Sequence, residues 1–365
     1  MQTLFAPALV QAVADLGNVV VDPAAWPAEL EKIAAAANAE GAALLGLSDR
    51  PADIPRTPSV DEGFRAYFQH GFHLRGLREL RGTPLLAGGA RVLIDQDIVT
   101  ADEVRSTEYY DWLRSAGVQW FSGVALWAGA DPWLVTIQRT SRQGMFEPED
   151  KRALELLAPR LTEAATLSRT IGQTALSSAG KALAAMRYAA VAIGRGGKVL
   201  DANAAADALF ASDLYVKDGR LHLASPLARD ELGQAIRKLD ATTDAPVAVD
   251  PIVVARREAP PLVIRFLSVP AAARAPFLGA RALLVLTPAE PRRGPSAAML
   301  ARLFGLTPAE ARLGSLLAEG MALEAAAAEL RIGKETARTQ LKAIFDKTDT
   351  HRQPELVALL ARIGC

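Results

Sequence analysis

The sequence predicts a multidomain α+β protein, on three observations. Roughly the last sixty residues carry four successive helix patterns separated by capping and turn residues. Five β-prone segments, with helix patterns inserted after the second, come before them. The first part of the 365-residue chain holds all five tryptophans (Trp26, Trp112, Trp120, Trp127, Trp133) and reads as a helix, a strand and a late hairpin.

Half of the residues are apolar, and 365 residues suffice for two or three domains that each bury a core. No run of about eighteen apolar, uncharged residues occurs, and no basic region precedes the first apolar stretch. A folded cytoplasmic protein without a membrane span is expected. Cys365 is the single cysteine, which excludes an internal disulfide and a cysteine metal cluster. The 41 basic and 41 acidic residues balance, so any affinity for nucleic acid must come from one local patch.

Residues 1–170 are predicted to form the first domain with a connecting helix. Residues 29–39 have a helix pattern leading into a strand at 42–47, and a helix surrounds residues 109–116. Strands at 122–128 and 133–139 make a hairpin joined by Gly129-Ala130-Asp131-Pro132. Ligand pockets favour aromatic walls with a few polar anchors, which singles out Tyr67, Phe68, Phe72, Tyr109, Tyr110, Trp112 and Trp120. Packing in an ordinary core accounts for the same residues. His70 and His73 stand three apart on a predicted helix but lack a third ligand, so no metal is expected. Residues 148–185 read as one long helical segment with Leu154, Leu157, Leu161, Ala164 and Ile171 at roughly heptad spacing, kinked or divided at Pro159. Such a segment is a connector and a candidate dimer seam.

Residues 171–287 are predicted to form a second domain built on a five-stranded antiparallel sheet. A β-prone stretch at 188–193, a turn at Gly196-Gly197 and a strand at 198–203 lead into a helix through Ala208-Leu209-Phe210. Residues 227–239 look helical, and 252–255, 262–269 and 282–286 read as three more strands. His222 falls in a turn or an edge strand. Residues 287–295 are rich in proline, glycine and charge and read as linker, with the linker proper at 288–299 and a last domain at 300–365.

In that last domain Thr307-Pro308-Ala309-Glu310 supplies a hydroxyl cap, proline at the first helical position and a carboxylate three residues on, the pattern of a capping box. Leu313, Leu316 and Leu317 follow at helical spacing until Gly320. Leu323, Ala326, Ala327 and Leu330 form a second stripe. After the break at Arg331-Ile332-Gly333, residues 334–348 read as a helix with two faces at about 100° per residue. Ala337, Leu341, Ile344 and Thr348 share one; Glu335, Arg338, Thr339 and Lys342 lie opposite. A last helix carries Leu356, Leu359, Leu360 and Ile363. Six bases against three acids between Arg331 and Arg352 give this segment a balance of +3.

The strings L-T-P-A-E-A-R-L, A-A-A-E-L-R-I, E-T-A-R-T-Q-L-K-A-I-F-D-K-T and Q-P-E-L-V resemble the LuxR-type (GerE-like) helix-turn-helix of bacterial transcription regulators. The resemblance covers roughly the last sixty residues and implies a four-helix DNA-binding bundle. By motif position it implies base and phosphate contacts from Arg338, Thr339 and Lys342, and phosphate contacts from Thr336, Lys347 and Lys334. Two positions depart from the family pattern: the glycine common in the turn is Arg331, and the histidine common in the recognition helix is Gln340. Gly333 stands where serine usually caps the helix.

The string G-K-V-L-D-A-N-A-A-A-D-A-L-F resembles the early signature of PAS domains, and the arrangement of the first domain resembles a GAF-like sensor. The family likeness implies a sensor, a coupler and a DNA-binding output in one chain. The implied partners are double-stranded DNA at a near-palindromic operator, a second copy in a homodimer, RNA polymerase and a small-molecule ligand. A partner protein acting on the sensor regions, without any small ligand, is the alternative. No cofactor is implied. The chain lacks a Gly-rich phosphate loop, G-x-S-x-G, H-E-x-x-H and C-x-x-C, so no enzyme is expected.

Overall fold

A computed structural model describes residues 6–47, 54–241, 248–257, 259–269, 271–289 and 294–363. The chain forms two compact units, Met1–Thr287 and Pro288–Cys365, with an α+β first unit and an all-helical second.

The first unit opens with α1 (Ala6–Ala12), α2 (Gly17–Val21), α3 (Trp26–Ala36) and β1 (Gly41–Gly46). Then come α4 (Asp61–Gln69), α5 (Phe72–Arg75), α6 (Leu77–Ala87), β2 (Val92–Ile94), α7 (Asp95–Ile98), α8 (Ala101–Ser106) and α9 (Glu108–Ser115). The hairpin β3 (Trp120–Ala128) and β4 (Asp131–Arg139) completes an antiparallel sheet of order β1-β4-β3-β2. Successive side chains leave a strand on opposite faces. Trp133, Val135 and Ile137 of β4 join a core with Leu30 and Ile33 of α3, whereas Leu134 joins one with Phe64, Tyr67 and Tyr109. Helices cover both faces, which is why G-A-A-L-L-G in β1 is buried throughout rather than alternating.

Two local expectations change. The β3–β4 turn is the dipeptide Gly129-Ala130, not four residues, because Gly129 takes φ 66° and lets Asp131 and Pro132 pair as strand. His70 and His73 do not share a helix: Gly71 at φ 72° breaks it, leaving His70 as the C-cap of α4 and His73 on α5.

The expected long helix divides into α10 (Pro148–Leu154) and α11 (Ala158–Ala185), joined by a short 3₁₀ turn. Pro159 sits in the first turn of α11, where its missing N–H has no intrahelical role. Leu161, Ala164 and Ala165 of α11 enter the core of the four-stranded sheet.

The helix leads into β5 (Ala189–Gly194), β6 (Val199–Ala202), α12 (Ala204–Asp207), β7 (Leu214–Lys217), β8 (Arg220–Leu223), α13 (Pro226–Asp240), β9 (Ile252–Val254), β10 (Leu262–Leu267) and β11 (Ala280–Pro288). Five of these strands make a sheet of order β6-β5-β11-β10-β9. Asn203 joins three elements: its side-chain oxygen caps α12 at Ala206 N and accepts from Ala190 N, while its nitrogen donates to Gly180 O and Tyr188 O. The separate β7–β8 hairpin is an addition to the expected strands. Asp218-Gly219, both at positive φ, form its turn and place His222 on β8 beside Tyr215. Strand β11 extends to Pro288, so Thr287 and Pro288 belong to the strand rather than to a linker; Glu290, Pro291, Arg292 and Arg293 lie outside the described residues.

The second unit holds α14 (Ala297–Phe304), α15 (Pro308–Ala318), α16 (Leu323–Glu329), α17 (Lys334–Thr348) and α18 (Gln353–Ile363). Four were expected. The additional α14 is capped by Ser296, which accepts from Met299 N, and stopped by Gly305 at φ 62°. The capping box of α15 forms in full, with Glu310 Oε2 2.7 Å from Thr307 N and Glu310 N 3.3 Å from Thr307 Oγ1.

Arg331, between α16 and α17, has φ 55°, a left-handed conformation in which a Cβ is strained by about 1 kcal/mol or more. Its N–H still closes the helix end on Ala328 O. Arg331→Gly is therefore expected to stabilise the second unit by about 0.5–1 kcal/mol once the greater freedom of glycine in the unfolded chain is set against the relief. Slower hydrogen exchange along α16 and α17 is the readout, and unchanged or faster exchange would refute it.

Candidate functional site

Two places combine the residue types that the sequence singled out. On α17, Ala337, Leu341, Ile344 and Thr348 are buried against the second unit's core, while Lys334, Glu335, Thr336, Arg338, Thr339 and Lys342 are exposed. Arg338 Nη1 lies 2.7 Å from Glu335 Oε1, and Thr339 Oγ1 donates to Glu335 O at 2.9 Å. An exposed pair of this kind contributes at most about 1 kcal/mol, so the guanidinium is free to exchange partners. Lys347 is placed differently. Its Nζ is 2.7 Å from Glu310 Oε2 and ties α17 to the start of α15.

That contact holds the Glu310 carboxyl below its ordinary value of 4.5, with the Lys347 hydrogen bond the largest cause and the Thr307 backbone N–H assisting against desolvation. The sign follows directly. A depressed folded value contributes stability that is complete above pH 4.5 and lost as pH falls through the folded value. Glu310→Gln keeps an acceptor for Thr307 N but removes the charge. It is expected to weaken protection of the α15 amides by about 1 kcal/mol at pH 7, with a smaller deficit at pH 3. A deficit that is the same at both pH values would contradict the assignment.

The second place is a cavity in the first unit, between the sheet and α4, α6 and α9, with about 810 Å³ of atom-free space that includes its open mouth. Of the seven aromatic candidates, Tyr67, Tyr109 and Trp112 line it. Phe68, Phe72, Tyr110 and Trp120 do not. Phe72 packs behind Trp112, with ring centroids 4.7 Å apart, Phe68 rests on Tyr67, and Trp120 is half-buried at the start of β3. Tyr110 is buried with its hydroxyl on Asp95.

The polar lining, Arg78, Glu79, Thr83, Thr136 and Gln138, was not singled out by sequence. Arg78 is buried and held by Asp95 through Nε at 2.8 Å and Nη2 at 3.1 Å, with Gln119 O at 2.8 Å from Nη2. Asp95 also accepts from Phe121 N at 2.7 Å. Burial is the largest single influence on Arg78 and opposes its charge, but Asp95 together with Tyr109 and Tyr110 outweighs it and keeps the guanidinium value raised. The guanidinium lies 4.9 Å from the Phe121 ring centroid. Desolvation pushes the phenols of Tyr109 and Tyr110 well above their ordinary range, so both are neutral donors. Glu79 accepts from the Tyr67 hydroxyl. The available signal in the sequence was a lone glutamine in the apolar alternation W-L-V-T-I-Q. Among the described residues no group of three or more His, Cys, Asp or Glu gathers to hold a metal, and no helix is long and apolar enough to cross a membrane.

No family model matches the chain, and no curated protein matches it. Among solved structures, the VqsR LBD domain from Pseudomonas aeruginosa is 15% identical, covering 43% of this chain and 93% of its own, with a TM-score of 0.32. The E. coli DhaR(N)–DhaL complex is 14% identical, covering 76% of this chain and 87% of its own, with a TM-score of 0.26. Scores this low carry no argument about fold or function.

Proposed function

We propose that this protein is a ligand-responsive, sequence-specific transcription regulator of the cytoplasm, with a GAF-like sensor, a PAS-like coupler and a LuxR-type DNA-binding unit. The two-faced packing of α17 supports this most. An apolar edge anchors the helix, and Arg338, Thr339 and Lys342 stand together on its exposed edge, as major-groove reading requires. Thr336 and Lys334 near the start of the helix are suited to phosphates. In the five-stranded sheet the order 2-1-5-4-3, with α12 and α13 between its second and third strands, is consistent with a PAS-like coupler. The aromatic cavity favours a small ligand over a partner protein as the signal, because such walls bury apolar ligand surface. No catalytic step belongs to this function.

A neutral chain with one +3 segment binds DNA weakly as a monomer. A homodimer reading half-sites about one helical turn apart is the natural remedy. The test is operator selection by chromatin immunoprecipitation, then salt-titrated binding to the best site. Arg338→Ala and Lys342→Ala are each expected to weaken that binding at least roughly tenfold, since one base-reading contact is worth about 1–3 kcal/mol, with the fold intact by circular dichroism. Parent-like affinity in either variant would remove its residue from the interface.

A further inference from the structure

A second cleft lies within the first unit, on the seam between its two larger sheets, with about 670 Å³ of atom-free space including its mouth. The start of β4 supplies Asp131 and Trp133, α11 supplies Arg169, the β5–β6 turn supplies Arg195 and Lys198, and the segment before β11 supplies Phe277. Phe277 locks the seam. Its ring stands edge-on to Trp133 and Trp26, with centroids 5.0 and 5.6 Å away, inside the core of the four-stranded sheet.

The backbone around Phe277 fixes two cations. Arg195 Nη1 donates to Pro276 O at 3.0 Å, and Arg169 Nη1 donates to Phe277 O at 3.4 Å and to Asp131 Oδ2. Successive carbonyls of one segment thus hold guanidinium groups that come from two different elements. Gly279 makes room for this: at φ 64° it carries no Cβ, and a Cβ there would overlap Arg195 Nη1. The third cation, Lys198, is exposed, and its ammonium has no partner among the described residues. A guanidinium has five N–H donors, of which Arg169 commits only those on Nη1 to described residues, and its side chain is 32% exposed.

Three cations against the single carboxylate of Asp131 give the lining a balance of +2. Apolar walls around such a cluster concentrate its field. A phosphate group carries about −1.5 to −2 near neutral pH and presents three acceptor oxygens, which matches both the charge and the set of donors from α11 and the β5–β6 turn. A carboxylate brings one charge and two oxygens. A sulfate ester brings three oxygens but one charge.

We infer that this cleft binds a phosphate dianion, free or as the end of a small monoester, between Arg169, Arg195 and Lys198. The site is separate from the aromatic cavity and does not rest on the DNA-binding function proposed above. Because its cations come from α11 and from the β5–β6 turn, the bound anion ties the connecting helix to the five-stranded sheet.

Calorimetric titration of the full chain at pH 8 with phenyl phosphate, phenyl sulfate and inorganic phosphate tests it. The two phenyl esters have nearly the same shape and differ in charge, so phenyl phosphate is expected to bind at least about tenfold more tightly than phenyl sulfate. Phenyl phosphate binding tighter than inorganic phosphate identifies a monoester as the ligand, and equal affinity identifies the free ion. Lys198→Ala should weaken phenyl phosphate binding at least about fivefold, and Lys198→Arg, which keeps the charge, should restore it to within about twofold. Asp131→Asn keeps an acceptor for Arg169 but removes the one negative charge of the lining. It should tighten phenyl phosphate binding about threefold or more, a gain that a damaged fold cannot mimic. Equal affinity for the two phenyl esters, parent-like binding in Lys198→Ala, no gain in Asp131→Asn, or no binding of either phosphate at millimolar concentration would overturn the inference.

Discussion

Asp95→Ala is expected to destabilise the first unit by about 3–5 kcal/mol, because it strands a buried guanidinium without its counter-charge. Asp95 is 3% exposed, and its two oxygens accept from Arg78, the Tyr110 hydroxyl and Phe121 N. Few side chains here bind as many elements: α6 through Arg78, α9 through Tyr110 and β3 through Phe121 all converge on the first residue of α7. The partner experiment uses Arg78→Met with Asp95→Leu. Removing both charges spares the burial of either alone, so the double variant should be more stable than Asp95→Ala by at least about 1 kcal/mol. Tryptophan fluorescence in urea reports this unit selectively, since all five tryptophans precede residue 140. A loss below 1 kcal/mol for Asp95→Ala would show that the carboxylate is dispensable.

Arg139→Met is expected to cost a similar amount, about 3–5 kcal/mol, for a related reason. Arg139 closes β4 with its guanidinium buried. Nη1 lies 3.0 Å from Asp150 Oδ2 and 3.2 Å from Met145 O, Nη2 lies 2.9 Å from Ala37 O, and Nε lies 3.2 Å from Asn38 O. The guanidinium carbon stands 3.9 Å from the centre of the Phe146 ring. Ala37 is the C-cap of α3 and Asn38 the residue after it, and Asp150 lies in the first turn of α10, so one side chain ties two helix ends together. Arg139→Lys keeps the charge but not the fork, and one ammonium cannot reach partners set in four directions. It should therefore lose about half as much stability as Arg139→Met. A parent-like urea midpoint for Arg139→Lys would mean that charge alone, not geometry, holds these ends.

Around α17 the residues alone were informative because everything that defines that helix is local. Its apolar edge repeats at three and four residues, Gly333 precedes it, and it runs over Lys334–Thr348 as its periodicity predicts. The capping box at Thr307 and Glu310 is likewise a contact between residues three apart. The β7–β8 hairpin carries a local signal too, the Asp218-Gly219 dipeptide, but each of its strands is only four residues long. Helix α14 is only eight residues long and directly follows a segment dominated by proline and charge, so its short apolar pattern was submerged.

By itself, then, the sequence determined helix phase, caps and glycine-centred turns, since those depend on neighbours within a few positions of the chain. Only the tertiary structure decided which aromatic residues face the cavity and which pack behind it, and which polar residues join them. Trp112 and Tyr109 line it while Tyr110, next in the chain, turns its hydroxyl to Asp95. Arg78 meets a carboxylate seventeen residues away and a carbonyl forty-one residues away, and Gln138 sits on the cavity face through strand register. Contacts that span such separations are set by how sheet and helices pack, and no short-range pattern records them.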